Sequence, residues 1–152
     1  MRILSADQAT HCGWAVIEGE KVVASGSCDF SKAERYIRMC DIALFLFDLF
    51  TRYECESIYI EDIYYLRNIK TLEWLAGLKS HIMSTFAKEG IEVIPIYPVT
   101  WKKAYSLNKG KRNDQKKTSQ EIAKERYGVD VADDNEADAI LIGMYALQTM
   151  TP

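Results

Sequence analysis

Histidine is scarce in this chain and cysteine follows no pattern. The 152 residues hold two histidines, His11 and His81, and four cysteines, Cys12, Cys28, Cys40 and Cys55. No CxxC, HExxH or finger-type spacing joins them, which argues against structural zinc and leaves the cysteines as free thiols of a reducing compartment. No apolar run approaches the ~20 residues that span a bilayer, and the opening MRILSAD leads straight into a strand, without the charged and then apolar regions of a secretion signal. The expectation is a soluble, cytoplasmic protein with no membrane partner. Linkers, internal repeats and low-complexity stretches are also missing, so residues 1–152 read as a single domain, a length that supports one hydrophobic core. An overall excess of positive charge is lacking too: net charge is −3 and the pI about 5.5, which by itself argues mildly against a nucleic-acid partner. The distribution of charge argues the other way. Between Trp101 and Ser119 stand Lys102, Lys103, Lys109, Lys111, Arg112, Lys116 and Lys117 against one acid, Asp114.

What is present reads as an α/β chain. Residues Ile3 to Ala6 form a short apolar strand ended by an acid. Gly13 to Ile17 and Lys21 to Ser25 follow as strands across the turn Glu18-Gly19-Glu20, making an antiparallel meander. Ser31 with Glu34 three residues on predicts a capped helix running to about Tyr53, and its apolar stretch Ile42 to Phe50 predicts deep packing. Ser57 to Ile60 is a buried strand ending at Glu61-Asp62. A helix from about Ile69 to Lys88 stops before Gly90. Ile91 to Ile96 is a strand whose Pro95 suits an edge. Pro98 opens a short helix, Ser106 to Gln115 reads as a basic loop, and helices follow over about Lys116 to Tyr127 and Asp134 to Thr149.

That order places acids at a few special points. Asp7 ends the first strand and Glu61 the fourth. Neighbouring parallel strands lie ~5 Å apart, and ligands gather at the carboxyl ends of such strands. Asp138 lies early in the last helix, which must pack on the sheet to bury Ile140, Leu141, Met144 and Leu147. Three carboxylates without basic partners raise one another's pKa unless a cation neutralises them. With oxygen donors and so few histidines, that cation is expected to be Mg²⁺, or Mn²⁺ as a substitute. A pair of such ions ~3.5–4 Å apart can activate water and stabilise a leaving oxygen in phosphodiester cleavage.

Three segments carry a resemblance. ILSADQATHCGWAVI, SIYIEDIYY and DDNEADAILIGMYAL resemble, in order and across nearly the whole chain, the motifs of RuvC-type Holliday junction resolvases, and NEADA is closer to phage-encoded members. The resemblance implies an RNase H-like fold, a central mixed five-stranded sheet flanked by helices. It implies a Mg²⁺-dependent endonuclease that nicks branched DNA (four-way junctions, forks or flaps) as a homodimer in a bacterial or phage-infected cell. By position, Asp7, Glu61 and Asp138 match the catalytic metal-binding acids. Asn135 stands where the family usually has a fourth acid; its amide oxygen brings no charge, and Asp134, one turn before Asp138, is the alternative fourth ligand. Tyr64 matches an aromatic that stacks on bases. Lys102 or Lys103, and Lys116 or Lys117, match basic positions near the DNA backbone, and Lys111 and Arg112 extend that DNA-binding stretch. Trp74, Leu75 and Leu78 lie on the helix corresponding to the dimer-forming one.

Plainer readings stand beside these. Asp62 reads as a solvent-facing turn residue, Asp133-Asp134-Asn135 as a helix N-cap, Glu136 as pointing away from the trio, Tyr64 and Tyr65 as core, and the basic stretch as a solvated loop. Two other functions share the features: an RNase H-fold nuclease acting on RNA or hybrids, and a junction-binding protein that does not cut.

Overall fold

A computed structural model describes residues 1–64 and 67–149; Tyr65 lies outside the described residues. Five strands form one sheet in the order β3-β2-β1-β4-β5. β1 (Arg2–Asp7), β2 (His11–Glu18) and β3 (Lys21–Asp29) are the antiparallel meander, while β4 (Ser57–Glu61) and β5 (Val93–Ile96) run parallel to β1. Pro95 is accommodated because β5 is an edge strand. Helices α1 (Arg35–Arg52) and α2 (Ile69–Ala87) cover one face; α5 (Asp134–Thr149) covers the other, backed by α3 (Pro98–Ala104) and α4 (Arg112–Tyr127). The architecture is the mixed five-stranded sheet flanked by helices that the resemblance implied.

The two-residue period of a strand sorts side chains between the faces. In β1, Leu4 and Ala6 join the core under α1 and α2, whereas Ile3 joins the core under α5. In β4, Ile58 and Ile60 take the first face and Tyr59 the second. The same alternation sends Asp7 and Glu61 to the α5 face. Ala6 pairs with Ile60 across the two strands, so one further step sets Asp7 beside Glu61.

Helix α5 lies unusually close to the sheet. The Ser5 hydroxyl donates to the Ala139 carbonyl at 2.7 Å. A Cβ on Gly143 would collide with that same hydroxyl, and one on Gly13 would collide with the Asn135 carbonyl oxygen. Gly13 therefore has no room for a side chain unless the start of α5 moves away. Gly13→Ala is expected to lower Tm by about 5 °C or more, the size of shift that 1–3 kcal/mol of overpacking gives a chain of this length, and to reduce activity even where the variant is fully folded. Thermal melting and a turnover assay below Tm check both.

Several boundaries differ from the sequence expectation for identifiable reasons. Asp29 accepts from the Ser31 backbone N–H at 2.8 Å, so Ser31 belongs to the turn leaving β3. Glu34 is the N-cap of α1 instead, accepting from the N–H groups of Tyr36 and Ile37. β3 continues to Asp29 because Gly26 to Asp29 pair with His11 to Trp14; backbone pairing, not apolar content, sets its length. α4 starts at Arg112 rather than Lys116, and the Gln115 side chain folds back onto the carbonyls of Lys109 and Gly110. Asp62 is no free turn residue: its carboxylate sits 2.5 Å from Lys79 Nζ, tying the end of β4 to α2. No helix among the described residues is long and apolar enough to cross a membrane.

Candidate active site

Asp7, Glu61 and Asp138 meet in one cavity of about 590 Å³ at the carboxyl ends of β1 and β4. Each is surrounded by protein but still reached by solvent through the cavity mouth. Burial raises the pKa of all three. Asp7 is held well above the usual carboxylate range, first by burial and then by the charges of Glu61 and Asp138. Asp138 is pushed up to about 7, again by burial and then by Glu61. Glu61 is raised by burial and partly rescued by Lys102 and Trp101. Burial and the neighbouring acids thus disfavour the ionised forms of Asp7 and Asp138, and a cation bound among them would offset that penalty.

The donor set fits a hard divalent ion: carboxylate oxygens with no sulfur or imidazole, in a water-accessible cavity. Among the described residues no group of three His, Cys, Asp or Glu side chains is already arranged to hold a metal ion. Asp7, Glu61 and Asp138 would hold the ion, with Asp134 on the same wall. Asp134 is not the helix cap, because the neighbouring residue takes that role. Asp133 accepts from the Glu136 backbone N–H at 2.9 Å and from the Ser27 hydroxyl at 2.6 Å. Asn135 also lines the cavity. Glu136 turns away as expected and is buried, accepting from the Ala132 N–H at 3.4 Å.

Residues that sequence reasoning missed hold the acids in place. The wholly buried Trp101 donates its indole N–H to Glu61 Oε2 at 2.8 Å. Gln8 clamps the Glu61 backbone from both sides, donating to its carbonyl at 2.5 Å and accepting from its N–H at 3.1 Å. The buried Ser119 hydroxyl donates to the Lys116 carbonyl at 2.9 Å and lies within reach of Asp138, where turning toward the carboxyl opposes the rise in its pKa. A Trp after a strand and a Ser in a polar helix carry no signal of such pairings in one dimension; Gln8, next to Asp7, was the most readable of the three.

The basic stretch divides. Lys102, Arg112 and Lys116 line the cavity; Lys102 lowers the pKa of all three acids, and Lys116 Nζ lies 3.9 Å from Asp134. Lys103, Lys111 and Lys117 are exposed and stand outside the cavity wall. Tyr64 lines the mouth and is 46% exposed, so its ring is not core. Leu78 corrects an expectation: it is wholly buried in the chain's own core with Ile82 and Phe86 and presents nothing to a second copy. Trp74 and Leu75 are half-buried, and Leu75 lines the cavity.

No protein-family model and no curated protein matches this sequence. Solved structures do match. RuvC of Thermus thermophilus in complex with a Holliday junction substrate superposes with a TM-score of 0.74 at 16% identity, covering 98% of this chain and 96% of that one. The Fowlpox virus resolvase bound to Holliday junction DNA gives 0.68 at 16% identity, covering all of both chains. The yeast mitochondrial Holliday junction resolvase gives 0.63 at 15% identity, covering 94% of this chain and 76% of that one. This chain has the RuvC-type, RNase H-like fold. In this RuvC-type fold the trio draws on elements that are far apart in sequence, and the sheet order brings them together.

Proposed function

We propose that this protein is a divalent-cation-dependent endonuclease that nicks branched DNA, the four-way junction above all, within the cytoplasm of a bacterial or phage-infected cell. The observation that carries the reading is the convergence of Asp7, Glu61 and Asp138 in one cavity whose rim bears Lys102, Arg112 and Lys116. The likeness to resolvases solved with junction DNA supports the choice of substrate.

Bound Mg²⁺ or Mn²⁺ would supply Lewis-acid activation of water and neutralisation of the departing oxygen. The chain's own residues do the rest. Trp101 and Gln8 hold Glu61 in one orientation, so its carboxylate is set before substrate arrives. Lys102 and Arg112 offset the charge of an entering phosphodiester, which the acids alone would repel. Tyr64, open at the mouth, offers a stacking face for an unpaired base at the branch, worth ~1–3 kcal/mol. In the reaction water adds to phosphorus and one P–O ester bond breaks, leaving a nick.

A junction is two-fold symmetric, and paired cuts need two sites related by the same symmetry. The reading therefore includes a homodimer through the outer surface of α1 and α2, where Ile37, Leu44 and Ile69 stand exposed. Leu44→Glu is expected to convert the dimer to a monomer by light scattering with the fold kept by circular dichroism, since Leu44 is already 62% exposed in the single chain.

The direct test compares purified protein on a four-way junction, a linear duplex, an RNA–DNA hybrid and a structured RNA, with Mg²⁺ and with EDTA. Mg²⁺-dependent nicking of the junction, well above the rest, is expected. Faster cutting of the hybrid or RNA, or junction binding with no cutting at all, contradicts the proposal.

A further inference from the structure

A second trough, of about 640 Å³, opens beside the candidate active site, between the β1–β2 turn and the first turns of α1 and α2. Its charged wall is made of Arg35, Arg38 and Lys70, with His11 beside them and, among the described residues, no carboxylate lining it. That segregation stands out in a chain with 22 acids and 19 strong bases. Fixed contacts give it form. Arg38 is pinned to the Thr10 hydroxyl at 3.2 Å and the Ala33 carbonyl at 3.0 Å, and its guanidinium covers the Trp74 ring at 5.9 Å. Arg35 donates to the Lys70 carbonyl at 3.1 Å, which draws the starts of α1 and α2 together. Arg38 Nε and Trp74 Nε1 are buried without an acceptor among the described residues.

The trough is continuous with the active-site cavity. Ala9, Thr71, Leu75 and Asn135 line both, forming a low ridge between them. A phosphodiester strand seated against Asp7 and Lys102 thus has, one ridge away, a second cation-lined channel that it does not itself fill.

We infer that this trough holds the phosphate backbone of a second strand or arm of the branched substrate, so that the branch point lies over the ridge. The inference rests on the proposed nuclease reading and deepens it, because it says where selection for branches comes from. A linear duplex occupies the cavity alone; a branched one satisfies both channels, and its extra affinity comes from Arg35 and Lys70. The positive potential of Arg35, Arg38 and Lys70 suits contact with the phosphate backbone, which binds without regard to sequence.

The test is DNA binding in EDTA, where nothing is cut, by fluorescence anisotropy across a series of salt concentrations. The probes are a four-way junction and a linear duplex of one arm. Arg35→Ala/Lys70→Ala is compared with wild type and with Lys21→Ala, a charge loss at the start of β3. Both Arg35 and Lys70 are exposed, and circular dichroism checks that the double variant is folded. The double variant is expected to lose roughly 10- to 100-fold in junction affinity, and the slope of log K against log salt to shrink by about two for each protomer engaged, close to one for each phosphate no longer neutralised. Linear duplex should lose far less, and Lys21→Ala should change neither. An undiminished junction slope, or equal losses on junction and duplex, overturns the trough while leaving the nuclease reading intact. A wild type that binds no DNA overturns both.

Discussion

Asp7→Asn is expected to lower junction nicking by roughly a thousandfold or more, equivalent to about 4 kcal/mol of transition-state stabilisation, while junction binding is kept or strengthened. The reason lies in where Asp7 sits. It ends β1 on the α5 face beside Glu61, and its pKa is raised by burial and by both other acids. Replacing it with an amide of the same shape removes a charge that repels phosphate, so affinity has no cause to fall. Catalysis would lose one of the proposed cation ligands. Asp62→Asn makes the contrast. That carboxylate is engaged by Lys79, and its loss should cost no more than about tenfold. Single-turnover cleavage and anisotropy on the same substrate measure the two effects separately.

The second large effect is on stability. In the unfolded chain the acids ionise near pH 4, whereas in the folded chain Asp138 keeps its proton up to about 7 and Asp7 is raised as well. Between those values the folded state binds more protons than the unfolded one, so metal-free stability falls as pH rises through the window and levels off above it. Asp138→Asn removes this penalty. Its Tm should match wild type near pH 4 and exceed it increasingly toward pH 8, by roughly 10 °C for a penalty of about 4 kcal/mol. Mg²⁺ should narrow the gap by stabilising wild type more than the variant, since only the intact trio binds it well. A Tm difference that does not change with pH would mean that folding does not raise the Asp138 pKa. Calorimetric scans at several pH values, with and without Mg²⁺, give the answer.

Much of this site was readable in one dimension because its elements advertise themselves. Apolar runs of strand length ended at Asp7 and Glu61, and an acid stood among apolar neighbours at Asp138; a sheet with parallel β1 and β4 then had to bring them together. The details that depend on pairing across the fold were not readable. Trp101 reaches Glu61 only because α3 docks on the α5 face, and Gly13 matters only because Asn135 lies on top of it. Asp133 proved to be the capping residue rather than Asp134, a choice between neighbours that composition does not make. Leu78 shows the opposite failure. Its helical spacing fitted an interface as well as a core, and only the position of Phe86 and Ile82 beside it decides for the core.

The basic stretch follows the same logic. Seven cations in sequence implied one surface, yet helix α4 starts early and turns Arg112 and Lys116 toward the acids while Lys103, Lys111 and Lys117 face outward. A second set of cations, Arg35, Arg38 and Lys70, was invisible because they are scattered over two helices. They become a surface only where those helices begin side by side.

Anomalous diffraction from crystals soaked in Mn²⁺ probes the arrangement most directly. The expected result is manganese density in the cavity in contact with Asp7, Glu61 and Asp138, and its disappearance from crystals of the Asp7→Asn variant. Density only elsewhere on the protein, or a peak unaffected by that substitution, would contradict the account.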